Sequence, residues 1–225
     1  MTRSTLKRSG LILLLILGAC AFVPLVAQDV DIAASAERIA DRYGQGSLAD
    51  AWRGARAIED LGDDAIPWAQ NTLDGDRATL RLMAAKALLS MGEEQGVQKV
   101  LVAIAADEGV AAAERAAAIQ LLSDFPGAKV EKLLRGILEG EGSYDPALRV
   151  AAGRSLFAVS HDWRTARNSL IPLLDVDDAA VRGDAALVLG EMGLVDGKVK
   201  SILRSLEKEP TSLGDGGHKL TIVSP

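Results

Sequence analysis

The fold is decided by residues 177–193, DDAAVRGDAALVLGEMG, in which two aspartates precede an apolar stripe and a glycine closes the segment. The members of the stripe are separated by four, four and three positions: Val181, Ala185, Leu189 and Met192. This spacing puts all of them on one face of an α-helix. Because aspartate and glycine are typical capping residues, the stretch predicts a helix that begins near Asp178 and ends near Gly193.

The same pattern recurs along the chain at a nearly constant distance. An arginine stands in four copies at intervals of 34, 34 and 33 residues: Arg81, Arg115, Arg149 and Arg182. Each copy has an alanine three positions later and a leucine seven positions later: Ala84, Ala118, Ala152 and Ala185, then Leu88, Leu122, Leu156 and Leu189. An apolar residue and a helix-ending residue complete the copy, and an earlier segment joins these last columns with Ile58, Leu61 and Gly62. Five matching columns indicate an internal repeat.

A second apolar stripe with helical spacing follows each of the four later copies. These stripes are Val97, Val100, Leu101 and Ile104; Val130, Leu133, Leu134, Ile137 and Leu138; Leu170, Ile171, Leu173 and Leu174; and Val199, Ile202, Leu203 and Leu206. Because a helix of about 12 residues is marginal in water, the hairpins have to stack to bury their stripes. We therefore predict an all-α protein of about five helical hairpins over residues 29–209, followed by an irregular tail at 210–225.

The block Val181-Arg182-x-x-Ala185-x-x-x-Leu189-Gly190-x-Met192-Gly193 resembles a HEAT repeat of the short bacterial kind, also called PBS-lyase HEAT-like. The resemblance covers roughly residues 47–209. It departs from the pattern at Glu114, where an apolar residue is expected, and at Ala51, which occupies the arginine column. It implies a right-handed α-α superhelix, a HEAT-like solenoid used mainly to hold other macromolecules, and it implies no reaction.

Residues 1–27 differ from the rest of the chain and resemble a bacterial export signal. A basic start and an unbroken Leu/Ile run at 11–17 lead through small residues to Ala27. Three fates remain open: cleavage after Ala27, acylation of Cys20 in a lipobox-like context, or an uncleaved anchor at the short limit of a membrane span. All three predict an exported chain in the periplasm or cell envelope, held at a membrane only through this segment.

Charge argues against a nucleic-acid partner. The chain has 25 basic and 31 acidic residues, a net charge of −6, and the segment 1–27 carries three of the positive charges and none of the negative ones. Without that segment the net charge is −9. Binding of nucleic acid relies on lysine and arginine at phosphates, so an acidic exported chain is a poor candidate. The only cysteine, Cys20, lies in the segment 1–27, so no disulfide is expected in the mature part.

Residue types that carry catalysis or bind metals are few and scattered. His161 and His218 are 57 positions apart, and no His-Glu pair exists, which disfavours the iron hydroxylases among HEAT-like proteins. The triplet Ser160-His161-Asp162 contains the residue types of a catalytic triad, but adjacent positions rarely reach relay geometry. A turn followed by a helix cap is the favoured interpretation. We therefore predict no catalytic residue, no cofactor and no metal, and a protein that is not an enzyme.

The arginine column is interpreted as structural. In three copies an aspartate precedes the arginine by four or five positions: Asp76, Asp145 and Asp178. Arginine–carboxylate pairs are strong and directional. We therefore expect Arg–Asp pairing to orient neighbouring hairpins.

A row of positions two residues past the alanine column is the candidate partner-binding surface. With the corresponding position of the first copy, this ridge consists of Arg56, Lys86, Gln120, Arg154 and Leu187. In solenoids of this kind the second helices line the concave side, and the row would form a partly basic ridge on an otherwise acidic protein. A solvated helix face is the alternative.

The predicted function is that of an exported, non-enzymatic scaffold that binds a protein partner. The alternative is an accessory or catalytic subunit of a lyase-like enzyme, because the lyase HEAT-like group includes bilin lyase subunits.

Overall fold

The computed structural model describes residues 31–140 and 145–208, and these fold into helices without any strand between them. The predicted export segment at 1–27 and the predicted tail at 210–225 lie outside the described residues. Within the described part, no helix is both long enough and apolar enough to cross a membrane.

The described residues form eleven α-helices. Their bounds are α1 Ile32–Tyr43, α2 Leu48–Glu59, α3 Ile66–Thr72, α4 Ala78–Ser90, α5 Val97–Ala106, α6 Ala112–Leu121, α7 Ala128–Glu139, α8 Pro146–Ser160, α9 Trp163–Leu170, α10 Ala179–Glu191 and α11 Gly197–Lys208. Three short 3-10 helices occur at Asp63–Ala65, Leu122–Asp124 and Ile171–Asp175. The prediction of an all-α chain is confirmed for these residues.

Helix packing follows the order of the repeat. The first helices of the five hairpins (α2, α4, α6, α8 and α10) pack successively against one another. The second helices are α3, α5, α7, α9 and α11, and among them α7 contacts both α5 and α9. Helices α3, α5 and α7 also pack against the first helix that follows each of them, as α1 packs against α2. Successive first helices thus pack against one another in the order of the repeat.

The core consists of the columns that the repeat predicts. All four alanines of the alanine column are fully buried, and Leu88, Leu122, Leu156 and Leu189 are at most 1% exposed. Small alanine side chains let the first helices approach closely, while leucine fills the space between them. In the first copy the alanine column is occupied by Gly54, where an added Cβ would lie 2.3 Å from Sδ of Met83.

The ends of the helices carry the predicted capping residues. Asp178 caps α10 by accepting hydrogen bonds from the N–H groups of Ala180 and Val181 at 2.8 and 3.2 Å. Gly193, just after that helix, has a φ of +79°, a conformation that favours glycine. The helix, the N-terminal cap and the glycine end that residues 177–193 predict are therefore all confirmed.

The predicted Arg–Asp pairs are not found, because the arginine side chains bond to backbone carbonyls instead. Nε of Arg81 donates to the carbonyl of Leu73 at 3.1 Å, and Nε of Arg115 donates to that of Ala105 at 3.2 Å. The remaining two follow the same pattern: Arg149 bonds to Ser169, and Arg182 bonds to Val176 and Asp177. Carbonyls at helix ends lack a partner within the helix and carry partial negative charge, so they attract a guanidinium. The aspartates Asp145 and Asp178 serve as helix caps instead.

One second helix is shorter than the sequence pattern predicts. The spacing predicts one helix that carries the stripe Leu170, Ile171, Leu173 and Leu174. In the structure α9 ends at Leu170, and a 3-10 helix continues through Asp175. Pro172 has no N–H to continue the α-helical hydrogen bonds, which explains the break. Leu170, Leu173 and Leu174 are buried, whereas Ile171 is 40% exposed, so three of the four stripe residues lie in the core.

Candidate functional site

The described residues form an open groove where α2 meets the N-terminal ends of α4 and α6. Its volume is about 1100 Å³. Its lining residues are Gly46, Ser47, Leu48, Ala49, Trp52, Arg53, Arg56, Thr79, Ala111, Ala113 and Glu114. We call it the α2–α6 groove. On the α6 side the groove is lined by the small residues Ala111 and Ala113. The charged side chains of its lining are Arg53, Arg56 and Glu114.

The α2 side of the groove is fixed by a helix cap. Ser47 accepts a hydrogen bond from the N–H of Asp50 at 3.3 Å, and the Asp50 carboxylate accepts one from the N–H of Ser47 at 3.0 Å. Asp50 also accepts a bond from Arg53 at 2.7 Å. The hydrogen bonds from Ser47, and then the charge of Arg53, hold the pKa of Asp50 below its usual value. The first turn of α2 therefore presents its side chains in a defined arrangement.

Trp52 provides the aromatic part of the groove. Trp52 and Leu48 are partly buried and pack against the core formed by the central hairpins. Across the groove, the hydroxyl of Thr79 on α4 donates to the carboxylate of Glu114 on α6. This bond ties the two helices together at the groove, where Glu114 replaces the apolar residue that the repeat pattern expects.

The groove combines a large aromatic side chain with charged groups of both signs. Tryptophan and arginine are the residue types that most often dominate protein interfaces, since each combines a large contact area with a polar group. Here Trp52 lies among Arg53, Arg56 and Glu114, so an apolar anchor is surrounded by charges of both signs. Such a groove can hold an apolar side chain of a partner and fix its orientation through charged groups at the edge.

The five predicted ridge residues lie at equivalent positions on the first helices, one each on α2, α4, α6, α8 and α10. They are therefore not on the second helices, which the resemblance places on the concave side. The ridge lies two residues after the alanine column, and that column belongs to the first helices. Lys86 and Gln120 are exposed, whereas Leu187 is partly buried. Of the five residues, only Arg56 lines the α2–α6 groove.

Two of the ridge cations have carboxylate partners. Arg56 lies 3.7 Å from Glu59 and 3.5 Å from Asp60, and all three side chains are at least partly exposed. Nη2 of Arg154 lies 2.9 Å from the carboxylate of Glu191, a contact that joins α8 to α10. Pairing reduces the positive charge that the ridge presents, so the ridge is less basic than the sequence indicates.

A carboxylate next to this ion pair has a perturbed pKa. Asp184 is exposed on α10, yet enough protein surrounds its carboxyl that desolvation raises its pKa. The charge of Arg154 acts in the opposite direction, and that of Asp178 adds a smaller upward effect. The ion pair of Arg154 with Glu191 links α8 to α10 beside this carboxyl group.

The triplet Ser160-His161-Asp162 forms a turn and a cap, as predicted. His161 adopts a left-handed conformation with φ of 54°, and Asp162 accepts from the N–H of Thr165 at 3.2 Å as the N-cap of α9. Asp162 also accepts from Arg135 of α7 at 2.5 Å. The hydrogen bond from the Thr165 backbone, with smaller effects of the Thr165 hydroxyl and Arg135, lowers the pKa of Asp162. The three side chains form no relay, and the described residues contain no group of three or more side chains suited to a metal ion.

Sequence reasoning missed the α2–α6 groove. The available signal was Trp52, which stands next to the arginine column where the other copies have Leu82, Ala116, Val150 and Gly183. An aromatic residue at a position otherwise held by smaller side chains marks a place where the copies differ. The groove itself depends on the meeting of three helix ends, which the repeat pattern does not describe.

No family model, curated protein or solved structure matches this chain. The described residues define an all-α protein of packed helices, with an open groove along three of its first helices.

Proposed function

We propose that this chain is an exported HEAT-like repeat protein that binds a protein partner without catalysing a reaction. In this proposal its five hairpins form a right-handed superhelix, and residues 1–27 direct or anchor it outside the cytoplasm. The repeated leucine and alanine columns, buried in every copy, support the kinship with HEAT repeats. Small-angle X-ray scattering tests the superhelix: a profile that does not fit stacked hairpins contradicts it.

The observation that carries the binding function is the α2–α6 groove. Trp52 and Leu48 give it an apolar wall, while Arg53, Arg56 and Glu114 give it charges of both signs. Its open form suits an extended segment or a loop of another protein. The partner's segment is expected to carry an apolar side chain for contact with Trp52 and charged groups of both signs beside it.

Site-specific photocrosslinking tests this proposal. A photoreactive residue at Ala113, which is exposed and lines the groove, should yield a discrete crosslinked partner in native cell envelopes. The matched control is Ala103, an exposed alanine on α5 that does not line the groove. The Trp52→Ala substitution should abolish the crosslink from Ala113 while circular dichroism shows an intact fold. Equal crosslinking from the two alanines, or none from Ala113, would refute a partner at the groove.

Export is tested separately by the intact mass of the mature protein. A chain that starts at Gln28, a chain acylated at Cys20 and a chain that retains Met1 correspond to the three fates of the export segment. Recovery of the unprocessed protein in the cytoplasmic fraction would refute export.

A further inference from the structure

The charges of the described residues are separated between turns and second helices. The turns are acidic, with carboxylates at their tips or as helix caps. In contrast, the described side chains of α5, α7, α9 and α11 include only two carboxylates, Glu131 and Glu139. Their cations are Lys99, Lys129, Lys132, Arg135, Arg164, Arg167, Lys198, Lys200 and Arg204. An acidic chain thus concentrates positive charge on the exposed side of these four helices, which we call the second-helix face.

Most of these cations have no ion-pair partner among the described residues. Arg135 pairs with Asp162, and Lys198 pairs with Asp175, so each joins its helix to the neighbouring segment. The other seven are in no salt bridge of the described chain, and all of them except Arg167 are exposed. Unpaired exposed cations retain their attraction for an external anion.

Helix α9 adds exposed apolar groups to this face. Trp163 is 42% exposed and Ile171 is 40% exposed. Trp163 is the first residue of α9, and Ile171, eight positions later, directly follows its last residue with helical backbone angles. Positions i, i+4 and i+8 share one helix face, so Trp163, Arg167 and Ile171 lie along the same side, about 12 Å from end to end. The guanidinium of Arg164 lies 5.4 Å from the Trp163 ring centre. The buried side of the helix is formed by Ala166 and Leu170.

Neighbouring helices extend the positive charge on both sides of α9. Helix α7 contacts α9 directly, and its exposed side carries Lys129, Lys132 and Gly136. An added Cβ at Gly136 would meet nothing within 4 Å, and a shallow depression of about 430 Å³ lies along this side of α7. Its lining includes the cations Lys132 and Arg135 and also the carboxylates Glu131 and Glu139. On the other side, Lys198 ties α11 to the 3-10 helix that follows α9. Helix α11 also exposes Lys200 and Arg204.

We propose that the second-helix face docks on an anionic lipid bilayer, with Trp163 and Ile171 entering the headgroup region and the surrounding cations binding lipid phosphates. Tryptophan favours the membrane–water interface because its ring is apolar and its N–H can bond to headgroups. Cations beside such residues add attraction for an anionic surface. A soluble acidic protein or a nucleic acid would use the cations, but it gives no reason for two separate apolar side chains to be exposed between them.

The test uses the full chain on two kinds of vesicle. One is made of phosphatidylcholine alone and the other of phosphatidylcholine with phosphatidylglycerol, both with brominated acyl chains that quench tryptophan. Because the apolar run at 11–17 would associate with either vesicle, the readout is the quenching of Trp163, taken as the difference between the native chain and Trp163→Phe. We expect strong quenching on the anionic vesicles only, and its loss at high salt.

Charge variants identify the face that docks. Lys132→Gln should weaken docking on anionic vesicles about fivefold, and the joint replacement of Lys132, Arg164 and Lys200 by Gln about a hundredfold. The matched control is Lys86→Gln, which removes an exposed cation from a first helix and should leave docking within about twofold. Circular dichroism confirms that each variant is folded. Equal quenching on both vesicles, or no effect of the triple substitution, would overturn the proposal. So would protection of this face by an oligonucleotide or polyglutamate without any quenching by lipid.

Discussion

The Leu156→Ala substitution tests the register of the repeat at the centre of the fold. Leu156 is fully buried, on a helix that contacts α6, α7, α9 and α10. The change removes three carbons, which is worth ~2.4 kcal/mol of transfer free energy at ~0.8 kcal/mol for each buried methylene. Because helices surround the site on several sides, the cavity collapses only in part and adds to this cost. We expect a loss of about 3–4 kcal/mol in the free energy of unfolding, within the ~2–5 kcal/mol range of such substitutions.

The assay is urea unfolding followed by far-ultraviolet circular dichroism, with hydrogen exchange to show whether the hairpins unfold together. Repeat arrays can unfold in parts, so agreement between the two methods is needed before a single free energy is assigned. The control is Leu187→Ala, the same chemical change at a partly exposed site, for which we expect a loss of about 1 kcal/mol. A loss at Leu156 no larger than that at Leu187 would mean that the leucine column is not the core.

Three further predictions concern contacts between helices and the effect of pH. Ser155→Ala removes the bond from the buried Ser155 hydroxyl to the Ile119 carbonyl at 2.8 Å, and should cost about 1 kcal/mol in urea unfolding. Gly54→Ala should destabilise the protein by roughly 1–3 kcal/mol, despite the better helix propensity of alanine, because the new methyl would lie 2.3 Å from Sδ of Met83; a gain in melting temperature would contradict this packing. Asp162 has its pKa lowered in the folded state, so its ionised form stabilises the fold above the unfolded value near 3.8 and this contribution is lost as pH falls through the folded pKa. The stability difference between the native chain and Asp162→Asn should therefore be constant near neutral pH and shrink only at acid pH, as measured by unfolding over a pH series.

The sequence predicts the buried part of the fold because burial depends on periodicity. The leucine at position 156 and the alanine at position 152 are fully buried because they stand where helical spacing puts them on the inner side. The partners of the arginine column depend instead on where neighbouring helices end. Arg81 lies within reach of the Leu73 carbonyl because α3 stops there, and spacing along the chain favoured the aspartate at 76 instead. Pattern alone does not indicate which of two nearby oxygen atoms faces a guanidinium.

For a related reason, the positions that match between the copies of the repeat do not reveal the candidate functional surfaces. A repeat conserves the side chains that stack its units, so positions that match between copies serve the fold. Trp52 and Trp163 are large aromatic residues without an equivalent in the other copies, and both keep part of their surface exposed. The exposed part of each ring contributes nothing to stacking, so it is available for contact with a partner. Trp52 lies in a groove with charges of both signs, which suits a protein segment, whereas Trp163 lies among unpaired cations, which suits an anionic surface. The two differ in the partner they favour because their surroundings differ in charge, although both stand on the same kind of helical hairpin.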